Sequence, residues 1–292
     1  MSVLLQHEPL SRHTSWRVGG PADRYFEPAD RDELIAFISA LPDDEPIHWI
    51  GLGSNLLVRD GGVRGTVICL HGALDTLKAD GDHGVVAEAG VHCARLAKFA
   101  VAQKCAGAGF FAGIPGTVGG ALAMNAGAHG GETWNAVSEV EVMSRGGRCE
   151  WLPRAAFTYA YRHVETPPQV IGFITARFCF DRDISGTAEQ DMKAWLARRK
   201  ATQPVGKPSA GSTFRNPTGD HAARLIEACG LKGHRIGGAQ VSSLHANFIL
   251  TNDNARAADV EALIAYLRDE VRRQQGVDLQ PEVRIIGEAV RA

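Results

Sequence analysis

Two glycine-rich stretches have the residue types to hold a phosphate-bearing ligand. The first is Gly51-Leu52-Gly53-Ser54-Asn55-Leu56-Leu57, directly after the apolar run Ile47-His48-Trp49-Ile50. The second runs Gly113-Ile114-Pro115-Gly116-Thr117-Val118-Gly119-Gly120-Ala121 and continues through Ala123 to Asn125-Ala126-Gly127-Ala128. Glycine lets the main chain turn at positive φ and lets a ligand approach it closely. Successive N–H groups in such turns make an anion-binding concavity, and a helix starting after Pro115 would add positive potential at its N-terminus. The pyrophosphate of a dinucleotide cofactor needs such a cradle. Neither stretch is GxGxxG or GxxxxGK[ST], so the Rossmann and P-loop fingerprints are both absent. Read alone, the first stretch is equally a tight turn after a strand. The second is equally a site of close helix–sheet packing.

The elements around these loops alternate. Ala22–Pro28 reads as a strand. Asp30–Leu41 has helical spacing, with Leu34, Ile35, Ile38 and Leu41 on one face and Asp30 as N-cap. Pro46–Gly51, Thr66–Leu70 and Gly84–Gly90 read as strands, Cys93–Gln103 as a helix, and Ser138–Ser144 and the segment around Val170–Phe180 as further strands. Near Asp181 the character changes: a polar helix leads into a Pro/Gly/Ser stretch ending at Ser212. A division at 184/185 is therefore expected. Beyond it come a helix over Asp220–Gly230, a strand over Asn247–Thr251, a helix with Val260, Leu263, Ile264, Leu267 and Val271 on one face, and a final strand in Pro281–Gly287. The class is α+β.

Composition excludes several functions. The chain has 292 residues, 45% hydrophobic and 22% charged, with a formal net charge of -2. No basic field recruits nucleic acid or an anionic membrane, so an anionic substrate must be held by local cations. No apolar run is long enough to span a bilayer, and no basic n-region precedes an apolar stretch, so a cytoplasmic protein is expected. The six cysteines form no CxxC pair and no metal-spaced cluster with histidine, which reads as reduced core thiols and no metal.

Thr14–Asp23, Gly51–Gly65, Ala112–Glu132, Phe157–Arg162, Gln203–Pro217, Leu225–Ser242, His245–Asn252 and Pro281–Glu288 appear in order along nearly the whole chain. Together they resemble the UDP-N-acetylenolpyruvoylglucosamine reductase family, in its short form. The resemblance implies an FAD-binding domain of the vanillyl-alcohol oxidase type over 1–184, with subdomains of roughly 1–75 and 76–184, and a C-terminal α+β substrate domain over 185–292. It implies non-covalent FAD, NADPH as hydride donor, a UDP-sugar substrate, and a monomer. Gly51–Leu57, Gly113–Thr117, Gly119, Gly120, Ala123, Asn125 and Gly127 become the FAD contacts.

The family's substrate is an enol ether of pyruvate whose double bond is conjugated to a carboxylate. Hydride arrives at C3, negative charge grows at C2 beside a group already anionic, and a proton must follow. A fixed cation, a hydrogen-bond donor and an acid are needed. Three positions match the family's catalytic residues. Arg162 would grip the carboxylate with a fork that stays charged at any relevant pH. Ser212, in Ala210-Gly211-Ser212-Thr213-Phe214, would protonate C2. Glu282, in Pro281-Glu282-Val283, would assist with the developing charge, protonated or sharing a proton once substrate is bound. Outside this resemblance each reads as an ordinary surface arginine, turn serine or strand-end glutamate.

Tyr161, Asn216 and His245 fall in blocks implied to touch the sugar nucleotide, and Arg215 or Arg224 could face its diphosphate. His129, Val164 and Gln280 stand where the family usually has tyrosine, serine and glutamate. Two rivals exist. One is another FAD-linked oxidase of this fold acting on a small alcohol or sugar, but no His or Cys is arranged to tether flavin covalently, His129 apart. The other is a nucleotide-sensing module, which loss of Arg162, Ser212 or Glu282 would have favoured.

Overall fold

The computed structural model describes residues 1–290. By their contacts these form two compact units. The first contains Met1–Leu5, Tyr25–Gly51 and Gly65–Arg198; the second contains Gln6–Arg24, Leu52–Arg64 and the chain from Arg199 onward. Residues 291 and 292, the end of the expected 185–292 segment, lie outside the described residues.

The first unit has two cores. Around one, the helix Arg31–Ala40 lays Leu34 and Ile38 against Phe26, Ile68 and Leu70. Asp30 caps this helix, its carboxylate accepting from Glu33 N at 2.9 Å, while Glu33 accepts in return from Ala29 N. The strand Ile47–Ile50 runs parallel to Val63–Cys69 with Ile47 opposite Thr66. The other core lies under an antiparallel five-stranded sheet ordered Cys149–Pro153, Val137–Ser144, Val170–Cys179, Gly84–Glu88, Leu77–Asp80. Val140, Val142, Ala176, Phe178, Val85 and Ala87 face it, and the helix Cys93–Ala102 contributes Leu96, Ala97 and Ala100.

The second unit packs the helices Ala222–Ala228 and Ala257–Gln275 on the antiparallel strands Arg235–Ile236, Ala239–Val241 and Ile249–Thr251. All five residues expected on the long helix's inner face are buried. Leu56–Val58 runs parallel to Arg284–Ile286, with Leu56 opposite Arg284. Fully buried Trp16 donates its indole N–H to Ile249 O at 2.7 Å.

The contacts therefore do not divide the chain linearly at 184/185. The helix beginning at Ala188 places Met192 in the first unit's core and stacks Trp195 on His129, so the first unit extends to Arg198. Segments 6–24 and 52–64 join the second unit through Trp16 and through the Leu56–Val58 strand. Among the described residues no helix is long and apolar enough to cross a membrane, no group of His, Cys, Asp or Glu could hold a metal ion, and the six cysteines are unpaired.

Asp60 gives a stability test. Its two carboxylate oxygens accept from Ala257 N and Ala258 N, each at 2.9 Å, at the start of the long helix. Asp60→Ala leaves two first-turn amides without a carboxylate. The expected cost is about 1–2 kcal/mol, as for loss of a helix cap. In differential scanning calorimetry of the cofactor-loaded protein the thermal midpoint should fall by a few degrees; an unchanged midpoint would show that water serves these amides equally well.

Candidate active site

In the first unit the second glycine-rich stretch becomes a loop, a short helix and a hairpin. Thr117 caps the helix Val118–Met124, its hydroxyl accepting from Gly120 N at 3.5 Å. Ile114 is in the core and Gly116 O accepts from Cys93 N, so the segment presents main chain rather than side chains outward. Gly51 lies against Thr117: a Cβ there would stand 2.6 Å from the hydroxyl. At Gly120 a Cβ would meet nothing nearer than 3.8 Å, leaving main chain that a ligand can approach. The first-turn amides are already engaged, Val118 N with Val91 O, Gly119 N with Ala89 O and Gly120 N with the Thr117 hydroxyl, so what fits a dinucleotide here is the run of small residues whose main chain it can approach.

The helix ends at Asn125, in the left-handed region at φ 45 and fully buried. Its Oδ1 accepts from Trp134 N at 3.0 Å, and its Nδ2 donates to Glu132 Oε2 at 2.9 Å and Ala160 O at 3.0 Å. Gly127 and Ala128 pair with Glu132 and Gly131. Gly127 has to be glycine, since a Cβ would collide with Gly131 O and lie 3.2 Å from Arg162 Nη1.

Arg162 sits at the turn between Thr158–Ala160 and His163–Glu165, at φ 57. It donates from Nη2 to Gly127 O at 2.9 Å and from Nη1 to Asn125 O at 3.4 Å. Its guanidinium also lies 4.9 Å from the centre of the Tyr161 ring, which is 43% exposed. The glycine-rich segment is thus the seat of Arg162 as well as a cradle.

In the second unit Ser212 leads into Thr213 and Phe214, which pair antiparallel with Pro281 and Glu282. Phe214 bridges Pro281, Glu282 N donates to Thr213 O at 2.8 Å, and Arg215 N donates to Gln280 O at 2.9 Å. On the other side Asn247, 3% exposed, clamps the same segment. Its O accepts from Thr213 N, its Oδ1 from Phe214 N, and its Nδ2 donates to Phe214 O at 2.8 Å. Ser212 and Glu282 therefore stand at neighbouring positions on paired segments. Asn55, the polar residue of the first glycine-rich loop, donates from Nδ2 to Glu282 O at 3.1 Å, and its carbonyl accepts from Arg284 N.

The rest of that loop is held by its main chain. Leu52 O and Gly53 O accept from Ser15, Leu56 opens the strand to Val58, and Leu57 is fully buried. His245 Nδ1 accepts from Asn247 N at 3.3 Å, and burial holds its imidazole below the ordinary histidine range, so the ring is neutral at pH 7. Asn216 Oδ1 accepts from Ala222 N, the first amide of a helix. Arg224 is paired with Asp220. Arg215 has no such carboxylate, and its Nε and Thr213 Oγ1 are buried without a hydrogen-bond partner among the described residues.

Residues 22–152 match the family described as "FAD binding domain", and residues 203–286 match "UDP-N-acetylenolpyruvoylglucosamine reductase, C-terminal domain". A UDP-N-acetylenolpyruvoylglucosamine reductase of Methylococcus capsulatus is 56% identical over 285 residues, covering 98% of this chain and 93% of the relative. The chain belongs to the UDP-N-acetylenolpyruvoylglucosamine reductase family. A second member of the family, from Alkalilimnicola ehrlichii, is 55% identical over 286 residues, covering 98% of this chain and 95% of its own. The solved family structure from Thermus caldophilus superposes with a TM-score of 0.80 at 32% identity over 98% of both chains. The architecture is accordingly an FAD-binding domain joined to the family's C-terminal domain, of mixed helix and strand content.

Sequence reasoning missed the roles of Asn247, Glu132 and the side chains of Asn55 and Asn125. Asn125 carried one legible signal, an asparagine at the end of a helical run, where the left-handed cap conformation is tolerated. Asn247 and Asn55 act through contacts distant in sequence, and Glu132 meets Asn125 only across the hairpin that pairs it with Gly127, so none of the three carries a local signature.

Proposed function

We propose that this chain is an NADPH-dependent flavoenzyme that reduces the enolpyruvyl group of UDP-N-acetylenolpyruvoylglucosamine to give UDP-N-acetylmuramate for peptidoglycan synthesis. On this reading it is a cytoplasmic monomer. The observation that carries the proposal is the pairing of the Ser212 and Glu282 segments, far apart in sequence and held side by side by Asn247 and Asn55. A flavin oxidase of a small alcohol has no need of an acid for a substrate carbanion, so this pairing favours the reductase.

Bound FAD supplies the relay that takes hydride from NADPH and gives it to C3. The main chain at Gly51–Leu57, Gly113–Thr117, Gly119, Gly120, Ala123 and Gly127 would hold and orient it, while Asn125, expected among these contacts, has its side chain engaged with Trp134, Glu132 and Ala160 instead. Arg162 binds the substrate carboxylate and stabilises the charge that spreads into it. Its seat on Asn125 O and Gly127 O fixes the plane of the fork before substrate arrives. Ser212 gives its hydroxyl proton to C2, for which a dianionic enolate is a strong enough base. Glu282 acts beside the growing charge. Tyr161, Asn216 and His245 line the sugar-nucleotide side, and Arg215 rather than Arg224 faces the diphosphate, because Asp220 already neutralises Arg224. Thr213 Oγ1 and Arg215 Nε are the kind of buried polar atoms that a polar ligand satisfies.

One FAD-binding domain and no second dinucleotide fingerprint imply that NADPH and the enolpyruvyl substrate take turns. Initial-rate plots against either substrate should be parallel, as ping-pong kinetics require. Intersecting lines, with inhibition patterns placing both substrates on the enzyme together, would rule out the alternation.

A further inference from the structure

We infer that Asn125 and Glu132 are positioning residues for Arg162, holding its guanidinium at the reacting carboxylate without touching substrate. This rests on the reading of Arg162 given above. Asn125 is fully buried, and its amide is used in both directions. The oxygen takes Trp134 N–H, and the nitrogen gives one hydrogen to Glu132 Oε2 and one to Ala160 O. A single donor facing the oxygen and two acceptors facing the nitrogen leave only one orientation for the amide. Ala160 lies two residues before Arg162 on the same hairpin, so one amide hydrogen anchors the strand that delivers the arginine. Asn125's own carbonyl then receives Arg162 Nη1.

Glu132 completes the frame. It pairs with Gly127, whose carbonyl receives Arg162 Nη2, and its carboxylate accepts from Asn125 Nδ2. The helix end, the Gly127–Glu132 hairpin, the helix at Trp134 and the Arg162 hairpin all meet at one side chain. Both amide hydrogens of Asn125 are spent within the protein and the oxygen is turned to Trp134 N, so the fully buried side chain is committed to this frame. Its effect on the reaction runs through Arg162.

Polarity reversal tests this. Asn125→Asp keeps the acceptor for Trp134 N, loses both donations and sets a carboxylate against Glu132. In the FAD-loaded protein, kcat/KM for the enolpyruvyl substrate should fall on the order of 10²-fold, the cost of a misplaced catalytic group. Flavin content and flavin reduction by NADPH should stay within about threefold of wild type, since neither step uses Arg162. Adding Glu132→Gln restores a donor–acceptor pair with its sense reversed and should recover at least about tenfold of the loss. Equal losses in both half-reactions, or no recovery in the double variant, would overturn the assignment.

A second route avoids variants that fail to fold. Glu132→Ala should cost about three- to tenfold on its own and nothing further in an Arg162→Lys background, because the group it positions is already gone. If Arg162→Lys is impaired and Glu132→Ala adds its full effect on top, positioning is wrong while the role of Arg162 stands. If Arg162→Lys runs at wild-type rate, the reading of Arg162 falls, and the positioning falls with it.

Discussion

Ser212→Ala is expected to leave FAD binding and flavin reduction by NADPH nearly intact and to slow reoxidation by the enolpyruvyl substrate by at least about 10²–10⁴, the range for a positioned general acid. In the proposed mechanism Ser212 acts only after hydride has reached C3, so the loss is expected in the second half-reaction alone. The backbone should tolerate the change: Thr213 pairs with Glu282 and Asn247 through main-chain atoms, and the Asn247 side chain holds Phe214, none of these bonds using the serine hydroxyl. The deficit can exceed the range if water cannot reach C2. Cysteine at 212, more acidic and of similar reach, should restore part of the rate. Stopped-flow on the alanine variant reads both phases, flavin bleaching by NADPH and its return on adding substrate. A collapsed first phase with a fast second would assign Ser212 to nicotinamide or flavin binding. No change in either would reduce it to a turn residue, with the proton drawn from water or Glu282.

Arg162→Lys is expected to lower turnover by about 10²–10³, the cost of one preorganised donor at a developing oxyanion. The substitution is not conservative here. Arg162 uses Nη1 and Nη2 on two separate main-chain carbonyls, 3.4 and 2.9 Å away, and a planar fork does this while still presenting N–H groups in a fixed plane. An ammonium is one point charge on a flexible stem and can hold its seat or meet a carboxylate squarely, not both. Flavin reduction by NADPH should be unaffected. Lysine turnover near wild type would show that Arg162 is not at the carboxylate.

Much of the local architecture is legible in the sequence because local forces produce it. Asp30 before an apolar face of Leu34 and Ile38 reads as a capped helix, and it is one. Val260, Leu263, Ile264, Leu267 and Val271 repeat at helical spacing, and all five are buried. Small residues after Pro115 read as the start of a helix, and the helix Val118–Met124 forms there, capped by the Thr117 hydroxyl. The ordered motifs also led to the family that the comparisons then established.

What the sequence alone determined, then, is the main helices and several of the strands and, through the family motifs, the family and the residues proposed to do its chemistry. Tertiary structure decided which of those residues stand together and what holds them. Leu56–Val58 finds Arg284–Ile286, and Phe214 finds Pro281, through backbone hydrogen bonds between segments distant in the chain. Such bonds use the N–H and C=O that every residue carries, so they leave no residue-specific trace in the sequence. The same reason hid the two asparagines. Each ends or follows a glycine-rich loop and reads as part of a cofactor cradle, yet Asn55 ties down Glu282 and Asn125 seats Arg162 through main-chain carbonyls that only the folded chain brings within reach.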